Sequence, residues 1–291
     1  MLTVGIKIKL NMKIIDNFLF RNEYELLEIR LRTHYEHVDQ FVIVECDHTF
    51  TGIYKGFNLP KQMERYAPWK DKIKYVQIGK QPYNDPWNSE RWMRAHFQKQ
   101  WENMGKDDVA LVTDLDEIVR PEAFEFIKDT DYNFYRLGMP AFNFKFNYLI
   151  LEGHYPWPLA KAFRGYVVPE MDGMRSVENV PGGRHVNLTH CGWHWSWFGN
   201  TEWAMEKLRS YSHTELDTPE LGQSLDVDTR INNNQEALGR PFACCPVKFD
   251  NYFPKSIIEH LPDYKNYVLP DGKKSIQEHF PGNIVQILSE Y

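Results

Sequence analysis

The sequence predicts an α/β fold, in which helices pack on a doubly wound sheet, within a single domain that spans residues 1–291. Two observations favour this class. Short apolar runs that are typical of buried strands alternate with longer segments of helical periodicity through residue 118. No low-complexity linker or internal repeat divides the chain, and its 291 residues can bury a substantial core.

The alternation is clearest in the first part of the chain. Runs rich in apolar residues predict strands at 13–18, 41–44 and 74–78. Apolar residues at three- and four-residue spacing predict a helix over 23–37 and a second helix over 86–105, between the third strand and the fourth.

The fourth strand, 109–112, is rich in Val and Leu and runs directly into three carboxylates. If the strand continues to Asp116, its two-residue alternation places Asp114 and Asp116 on one face with Ala110 and Val112. An open α/β sheet binds its ligand at the carboxyl ends of its strands. Two carboxylates held together repel each other unless a cation lies between them, and oxygen ligands suit Mg²⁺ or Mn²⁺. The pair therefore predicts a divalent metal site.

The same acid-x-acid pattern occurs at two other places, and neither follows an apolar strand. Asp129 and Asp131 form one pair, and Asp226 and Asp228 form the other. We interpret both as exposed loop or helix-cap positions, the usual role of paired acids.

Glu90 and Arg94 are four residues apart on the second predicted helix and therefore share a face. One interpretation is an ordinary surface ion pair, which the sequence alone favours. The other places Arg94 on a diphosphate, because a guanidinium group can donate two hydrogen bonds to phosphate oxygens at once.

The second part of the chain differs in character. Pro121 begins a short helix, and 132–170 is dense in Tyr, Phe and Trp, which favours irregular strands and loops that form a substrate-binding surface. A further helix is predicted over 201–210.

The segment 189–198 alternates as one strand. Its two faces consist of Cys191, Trp193, Trp195 and Trp197 on one side and His190, Gly192, His194 and Ser196 on the other. His190 is interpreted as a core histidine with satisfied hydrogen bonds. Neutral His194 is also a competent ligand for a transition metal such as Mn²⁺.

Composition limits the possible partners and compartments. A net charge of −6 argues against nucleic acid or an anionic membrane as partner. The four cysteines match no zinc pattern and predict reduced thiols. No continuous apolar segment predicts a signal peptide or a transmembrane helix, so we expect a cytoplasmic or otherwise soluble protein.

The chain resembles glycosyltransferase family 17, which includes the enzyme that adds the bisecting N-acetylglucosamine to N-glycans. The order and spacing of several stretches carry the resemblance, and together these extend over roughly 13–216. The matching stretches are 41–45, 87–94, 114–118, 192–197 and 212–215.

The resemblance implies a GT-A-type fold, a Rossmann-like mixed sheet flanked by helices. The half 13–120 would bind a nucleotide sugar, and the half 121–291 would face the acceptor. The implied activity is metal-dependent, inverting transfer of a sugar, N-acetylglucosamine from UDP-GlcNAc, to a glycan hydroxyl. The implied cofactor is Mn²⁺ or Mg²⁺, and the implied partners are the sugar donor and the glycan acceptor.

The resemblance also implies residue roles. Asp116 would bind the cation that bridges the donor diphosphate, Asp114 would lie on the ribose or the metal, and His194 would make the distal metal or phosphate contact. Arg94 would neutralise diphosphate charge, although Arg91, on the same helix, also matches loosely. Glu90 and Glu45 complete the expected donor-binding set.

Inversion requires a carboxylate or a histidine to deprotonate the acceptor hydroxyl. The sequence offers Asp172, Glu178, His213 and Glu215, and we favour Glu215. For stacking on an acceptor sugar, the candidates are Trp157, Trp193 and Trp197.

The sequence is also compatible with two other functions. One is a non-catalytic carbohydrate-binding module in which the aromatic surface binds glycan and the acids are structural. The other is a metal-dependent phosphohydrolase, which ranks low because the paired acids of that class lie on the first strand.

Overall fold

A computed structural model describes residues 12–101, 104–153, 155–165, 183–270 and 272–291. Asp172 and Glu178 lie outside these ranges. The strands are β1 (Ile14–Leu19), β2 (Gln40–Cys46), β3 (Ile73–Ile78), β4 (Val109–Val112), β5 (Glu117–Val119), β6 (Phe134–Leu137), β7 (Ala141–Asn143), β8 (Tyr148–Ile150), β9 (Lys161–Arg164), β10 (His185–Thr189), β11 (Gly192–Ser196), β12 (Cys244–Pro246) and β13 (Gln286–Glu290). The α-helices are α1 (Tyr24–His34), α2 (Pro86–Ala95), α3 (Pro121–Asp129), α4 (Thr201–Ser210), α5 (Pro219–Ser224), α6 (Val227–Asn232), α7 (Lys255–Ile258), α8 (Leu261–Tyr264) and α9 (Ile276–His279).

The large sheet has the order β13-β10-β6-β9-β4-β1-β2-β3. Strands β4, β1, β2 and β3 are parallel, whereas β9 runs antiparallel between β4 and β6. The chain leaves β1 towards β2 and β3 and then returns to β4 on the opposite side of β1, so the direction of winding reverses between β1 and β4. A large mixed sheet flanked by helices in one domain confirms the predicted α/β class.

Helices cover both faces of the parallel strands. Phe41 and Ile43 of β2 pack in the cluster that contains the apolar side of α1, whereas Val42 and Val44 pack in the cluster that contains Met93 of α2. This alternation of one strand between two apolar layers is the arrangement that a buried parallel strand requires.

A second sheet, with the order β12-β8-β7-β11-β5, joins the two halves of the chain. Strand β11 pairs antiparallel with β5, and His194 lies opposite Glu117. Gly192 is required there because a Cβ at this position would lie 2.1 Å from the carbonyl oxygen of Ile118.

Two predicted elements extend less far than expected. Helix α2 ends at Ala95, although Phe97 and Trp101 still pack in the same apolar cluster as Met93. Strand β4 ends at Val112, and 113–116 form a loop before β5. The predicted alternation to Asp116 was therefore wrong.

Within the predicted strand 189–198, only 192–196 form β11, and Thr189 is the last residue of β10. His190 and Trp197, on either side of β11, both adopt φ values of 56°. These residues end the pairing on either side of β11, yet the alternation within β11 holds. Trp193 and Trp195 stack in parallel in the core with ring centroids 5.8 Å apart, and His194 faces the opposite way.

The aromatic segment 132–170 was predicted to form a substrate-binding surface, and its described residues serve mainly as core. Phe134, Phe142 and Phe146 are buried in the two main apolar clusters. The four cysteines are free thiols, as predicted. Among the described residues, no helix combines the length and apolarity needed to cross a membrane.

Candidate active site

A cavity of about 510 Å³ opens where β1, β2 and β4 end. Its lining includes Phe20 and Arg21 after β1, His48 after β2, and Asp114 and Asp116 after β4. This is the position where the winding of the sheet reverses, and open α/β sheets bind ligands at such a position because the neighbouring loops diverge there.

The loop 113–117 is held from behind by Arg30, whose side chain is fully buried. Its Nη1 donates to the carbonyl oxygens of Asp114 and Glu117, at 2.7 and 3.0 Å. Its Nε and Nη2 donate to both carboxylate oxygens of Asp16, at 2.9 and 2.5 Å. One guanidinium thus fixes the path of the loop that carries the paired acids.

Helix α1 delivers this guanidinium because Arg30 and His34, one turn apart, both lie on its buried side. His34 Nδ1 lies 2.8 Å from Asp16 Oδ2, and its Nε2 lies 2.9 Å from the carbonyl oxygen of Val119. Burial raises the pKa of Asp16, but Arg30 and His34 outweigh it and hold that pKa below its ordinary value. The network is paired throughout.

Arg94 lies on the cavity side of the loop between two acids. Its Nη2 donates to Glu90 Oε1 at 2.9 Å and to Asp114 Oδ1 at 2.5 Å. Burial lowers the pKa of Arg94, but these carboxylates outweigh it and raise that pKa above its ordinary value, so the group stays charged. Its Nη1 is buried without a hydrogen-bond partner in the protein. The guanidinium therefore has one donor that the protein leaves unsatisfied.

Asp116 contacts two groups that come from distant parts of the sequence. Lys207 Nζ on α4 lies 3.2 Å from Asp116 Oδ2, and His194 Nε2 lies 3.7 Å from Oδ1. The backbone N–H of Trp195 donates to the carbonyl oxygen of Asp116 at 2.8 Å. Pairing of β11 with β5 therefore brings His194 to the acid.

Burial is the largest influence on the pKa values of Asp116 and His194. It raises the pKa of Asp116 above its ordinary value, although Lys207 and His194 act in the opposite direction. It also lowers the pKa of His194, so the imidazole is neutral near pH 7. The ring of His194 stacks on Trp157 at 4.3 Å, and its Nδ1 is buried without a hydrogen-bond partner in the protein.

The donor set suits a hard or borderline divalent cation, because it combines a carboxylate with a neutral imidazole whose Nε2 faces that carboxylate. Asp116 and His194 would hold such an ion. Asp114 is turned to Arg94, and the three described side chains Asp114, Asp116 and His194 do not place one ligand atom each within 4.8 Å of one another. The structure therefore brings Asp116 and His194 together, whereas Asp114 is turned away to Arg94.

Another group in the described part of the chain has metal-ligand spacing. Cys46, Asp47 and His48 place one ligand atom each within 4.8 Å of one another. However, burial raises the pKa of Cys46, which therefore carries its proton near pH 7. His48 Nδ1 already lies 2.6 Å from Asp47 Oδ1. We interpret the three residues as a hydrogen-bonded structural group in the cavity wall and not as a metal site.

Glu45 was expected to bind the sugar donor, and the structure places it outside the cavity lining. Its carboxylate is fully buried and accepts from Lys55 Nζ at 2.7 Å, from the backbone N–H of Asn58 at 2.6 Å and from the hydroxyl of Tyr75 at 2.6 Å. Because these partners occupy the carboxylate, Glu45 fixes the loop after β2 and does not face a ligand.

The rim of the cavity carries the remaining described candidates. His213 lines it, and its ring meets Trp87 edge-on at 4.5 Å. Glu215 is exposed and lies outside the lining, yet its Oε1 is 2.6 Å from His213 Nδ1. Ser212 donates to Glu90 Oε2. His213 and Glu215 thus form a pair at the entrance.

The three tryptophan candidates are separated. Trp157 lines the cavity and donates from Nε1 to Glu117 Oε1 at 2.6 Å. Trp197 also lines it, whereas Trp193 is buried in the core and was misassigned as a stacking surface. Arg91 lines the cavity and donates to Asn88 Oδ1 at 3.0 Å, but it is exposed, in contrast to buried Arg94.

Basic side chains outnumber acidic ones around the cavity, although the whole chain carries a net charge of −6. Among the described lining residues, the acidic ones are Glu23, Glu90, Asp114 and Asp116, and the basic ones are Arg21, Lys55, Arg91, Arg94, Lys207 and Arg240. The cavity is thus suited to an anion.

The sequence model of glycosyltransferase family 17 matches residues 5–236, well over half of the chain. The chain belongs to glycosyltransferase family 17. No curated protein sequence matches it. Membership in glycosyltransferase family 17 supports a transferase that acts on a sugar donor and an acceptor, and the matched region includes the loop 113–117 and strand β11.

Sequence reasoning missed Arg30 and Lys207. Arg30 could have been found, because it follows Leu26 and Leu27 by four and three residues and so lies on the apolar side of its helix. Lys207 gave no comparable signal, because its position depends on how α4 packs. Helix α4 is anchored where Asn22 donates to Glu206 Oε1 at 3.0 Å.

Proposed function

We propose that the protein is a GT-A-type, metal-dependent, inverting glycosyltransferase that transfers N-acetylglucosamine from UDP-GlcNAc to a glycan hydroxyl. The observation that carries the proposal is that Asp116 and His194 lie side by side in the same cavity as Arg94, whose Nη1 has no protein partner. The identity of the donor sugar and the GT-A assignment come from the family resemblance.

The donor diphosphate would lie between Arg94 and Asp116. A divalent ion bound at Asp116 and His194 would supply positive charge where negative charge develops as the leaving group departs. Arg94 would donate from its unpartnered Nη1 to a phosphate oxygen, while Glu90 and Asp114 hold the guanidinium in place. Asp114 would thus act mainly by orienting Arg94.

The reaction forms a bond between the acceptor oxygen and the anomeric carbon while the bond to the diphosphate oxygen breaks. The proton of the acceptor hydroxyl must leave at the same time. We assign its removal to His213, which lines the cavity, with Glu215 orienting the imidazole through Nδ1. This assignment differs from the sequence prediction, which favoured Glu215 itself. Asp172 lies outside the described residues.

The acceptor would enter past Trp87, which is exposed at the rim. Flat aromatic surfaces bind the apolar faces of sugar rings. Trp157 and Trp197 lie deeper in the lining, where the transferred sugar would contact them. These positions suit a glycan acceptor that approaches from solvent, while the nucleotide lies against the strand ends.

The direct experiment incubates the protein with Mn²⁺ and a panel of nucleotide sugars, with and without glycan acceptors. We expect slow hydrolysis of UDP-GlcNAc, faster turnover with a suitable acceptor, and loss of both with EDTA. Glycan binding that is indifferent to EDTA and to Asp116→Asn would instead indicate a carbohydrate-binding module. Phosphate release without a sugar donor would indicate a phosphohydrolase.

Asp116→Asn should lower metal-dependent turnover by about 100-fold or more, because it removes a charged metal ligand. The controls Asp131→Asn and Asp228→Asn make the same chemical change away from the cavity. Asp131 pairs with Arg184 on the surface, and Asp228 lies in the first turn of α6. Equal losses in all three variants would contradict the assignment of the metal site.

A further inference from the structure

Lys207 is held against Asp116 by two tryptophans. Its ammonium lies 5.6 Å from the ring centroid of Trp197 and 5.4 Å from that of Trp203, one helical turn earlier on α4. The side chain is 18% exposed. Aromatic faces attract a cation and restrict its stem, so the ammonium is directed at the cavity instead of moving freely in solvent.

The ammonium and a divalent ion would compete for the same carboxylate. Lys207 Nζ contacts Asp116 Oδ2, and His194 faces Oδ1 of the same group. An ion held by Asp116 and His194 would therefore lie within a few ångströms of a positive charge, and like charges at that distance repel strongly in a partly buried site. Lys207 must weaken metal binding while it remains beside Asp116.

A diphosphate would remove this conflict. Lys207 and Arg94 both line the cavity, and a phosphate group between them would offer the ammonium a new anionic partner. Glu23 also lies within electrostatic reach of Lys207: burial raises the pKa of Glu23, but Arg21 and, to a smaller extent, Lys207 help to hold that pKa below its ordinary value. The ammonium could thus shift from Asp116 to the donor without losing charge compensation.

We propose that Lys207 is an exchangeable countercharge: it pairs with Asp116 before the donor binds, and it moves to the donor diphosphate when the divalent ion takes Asp116. This rests on the proposed function and adds a regulatory feature to it. Metal and donor would then bind cooperatively, because each favours the rearrangement that the other needs. The free enzyme would bind the metal ion weakly.

The test measures Mn²⁺ affinity from the electron paramagnetic resonance signal of free Mn²⁺, with and without UDP. Lys207→Met keeps an apolar stem between the tryptophans and removes the charge. We expect it to bind Mn²⁺ about tenfold more tightly than wild type without UDP, and to gain less affinity on addition of UDP. Lys207→Arg should bind Mn²⁺ like wild type, because it restores the charge.

Arg91→Met is the matched control, because it removes a cavity charge that does not contact Asp116. Its Mn²⁺ affinity should stay within about twofold of wild type. If wild type binds Mn²⁺ and Lys207→Met binds it with equal or lower affinity, the proposal that Lys207 is a countercharge is wrong, but the proposed metal site is still supported. If neither binds Mn²⁺ although circular dichroism shows both folded, the proposed metal site fails, and the countercharge with it.

Discussion

The two sides of the loop 113–117 differ in whether their buried polar side chains are fully hydrogen-bonded within the protein. Behind the loop, Arg30 and His34 use their donors on Asp16 and on backbone carbonyls, and the whole network is buried. On the cavity side, Arg94 Nη1 and His194 Nδ1 are also buried but have no protein partner. The first network is complete without a ligand, and the second is not.

Two histidines repeat this contrast within one short segment. His190 is satisfied on both nitrogens, by the hydroxyls of Tyr252 and Tyr155 at 2.8 Å each. In His194, four residues later, Nδ1 has no protein partner and Nε2 faces Asp116. Burial lowers the pKa of both rings, so the pKa does not distinguish them. Hydrogen-bond satisfaction does, since His190 has a protein partner on each nitrogen, as most buried polar groups do, and His194 does not.

The largest expected effect is a loss of stability when the hydrogen-bond network behind the loop is broken. Arg30→Met should lower the free energy of unfolding by about 3–5 kcal/mol, because it leaves the charge of Asp16 buried without its main partner. Urea denaturation followed by circular dichroism measures this. Asp116→Asn, on the cavity side, should change stability by less than about 1 kcal/mol. Similar losses in both variants would remove the distinction between the two sides.

The second prediction concerns pH and His190. Burial, followed by the nearby Arg120, lowers the pKa of His190 from 6.5 to about 4. Because the unfolded chain takes up a proton below pH 6.5 and the folded chain does not, stability should fall as pH falls from 6.5 towards 4. The loss should reach about 3 kcal/mol, at about 1.4 kcal/mol per pKa unit.

Denaturation of wild type and His190→Gln across this pH range checks the effect. The glutamine keeps hydrogen-bonding groups between the two tyrosines and cannot titrate. Its stability should therefore depend less on pH than that of wild type, even if it is lower throughout. An identical pH dependence in the two proteins would show that His190 is not excluded from protonation in the folded state.

The third prediction concerns Arg94. Arg94→Lys keeps the charge between Glu90 and Asp114. It removes the forked guanidinium, and with it Nη1, the nitrogen that would donate to a phosphate oxygen. UDP affinity with Mn²⁺, measured by calorimetry, should fall by about tenfold or more, since a hydrogen bond to a charged group contributes about 1.5–3 kcal/mol. Arg91→Lys on the same helix should have little effect. The opposite order would assign the diphosphate contact to Arg91.

The sequence predicted the α/β class and most of the strand ends, because buried parallel strands have a distinctive composition. Asp114, Asp116, Arg94, Glu90 and His194 were all expected in the site, and all line one cavity. The two aspartates, however, lie in the loop between β4 and β5 and not on the continued strand that was predicted to carry them.

The errors share a physical cause. Glu45 follows an apolar strand as Asp114 does, but Lys55, Asn58 and Tyr75 surround its carboxylate, and no local pattern reveals them. Lys207 was missed for the same reason, because packing of α4 brings it to Asp116. Long-range packing decides whether a polar side chain at a strand end supports the fold or faces a ligand.

The most direct test of the central claim is a crystal structure of the protein with Mn²⁺ and UDP-GlcNAc, with the metal located by its anomalous scattering. We predict a single Mn²⁺ ion at Asp116 that also contacts the diphosphate, with His194 beside it and Arg94 on a phosphate oxygen. An ion held instead by Cys46, Asp47 and His48, or a diphosphate bound in this cavity without any metal at Asp116, would contradict the account.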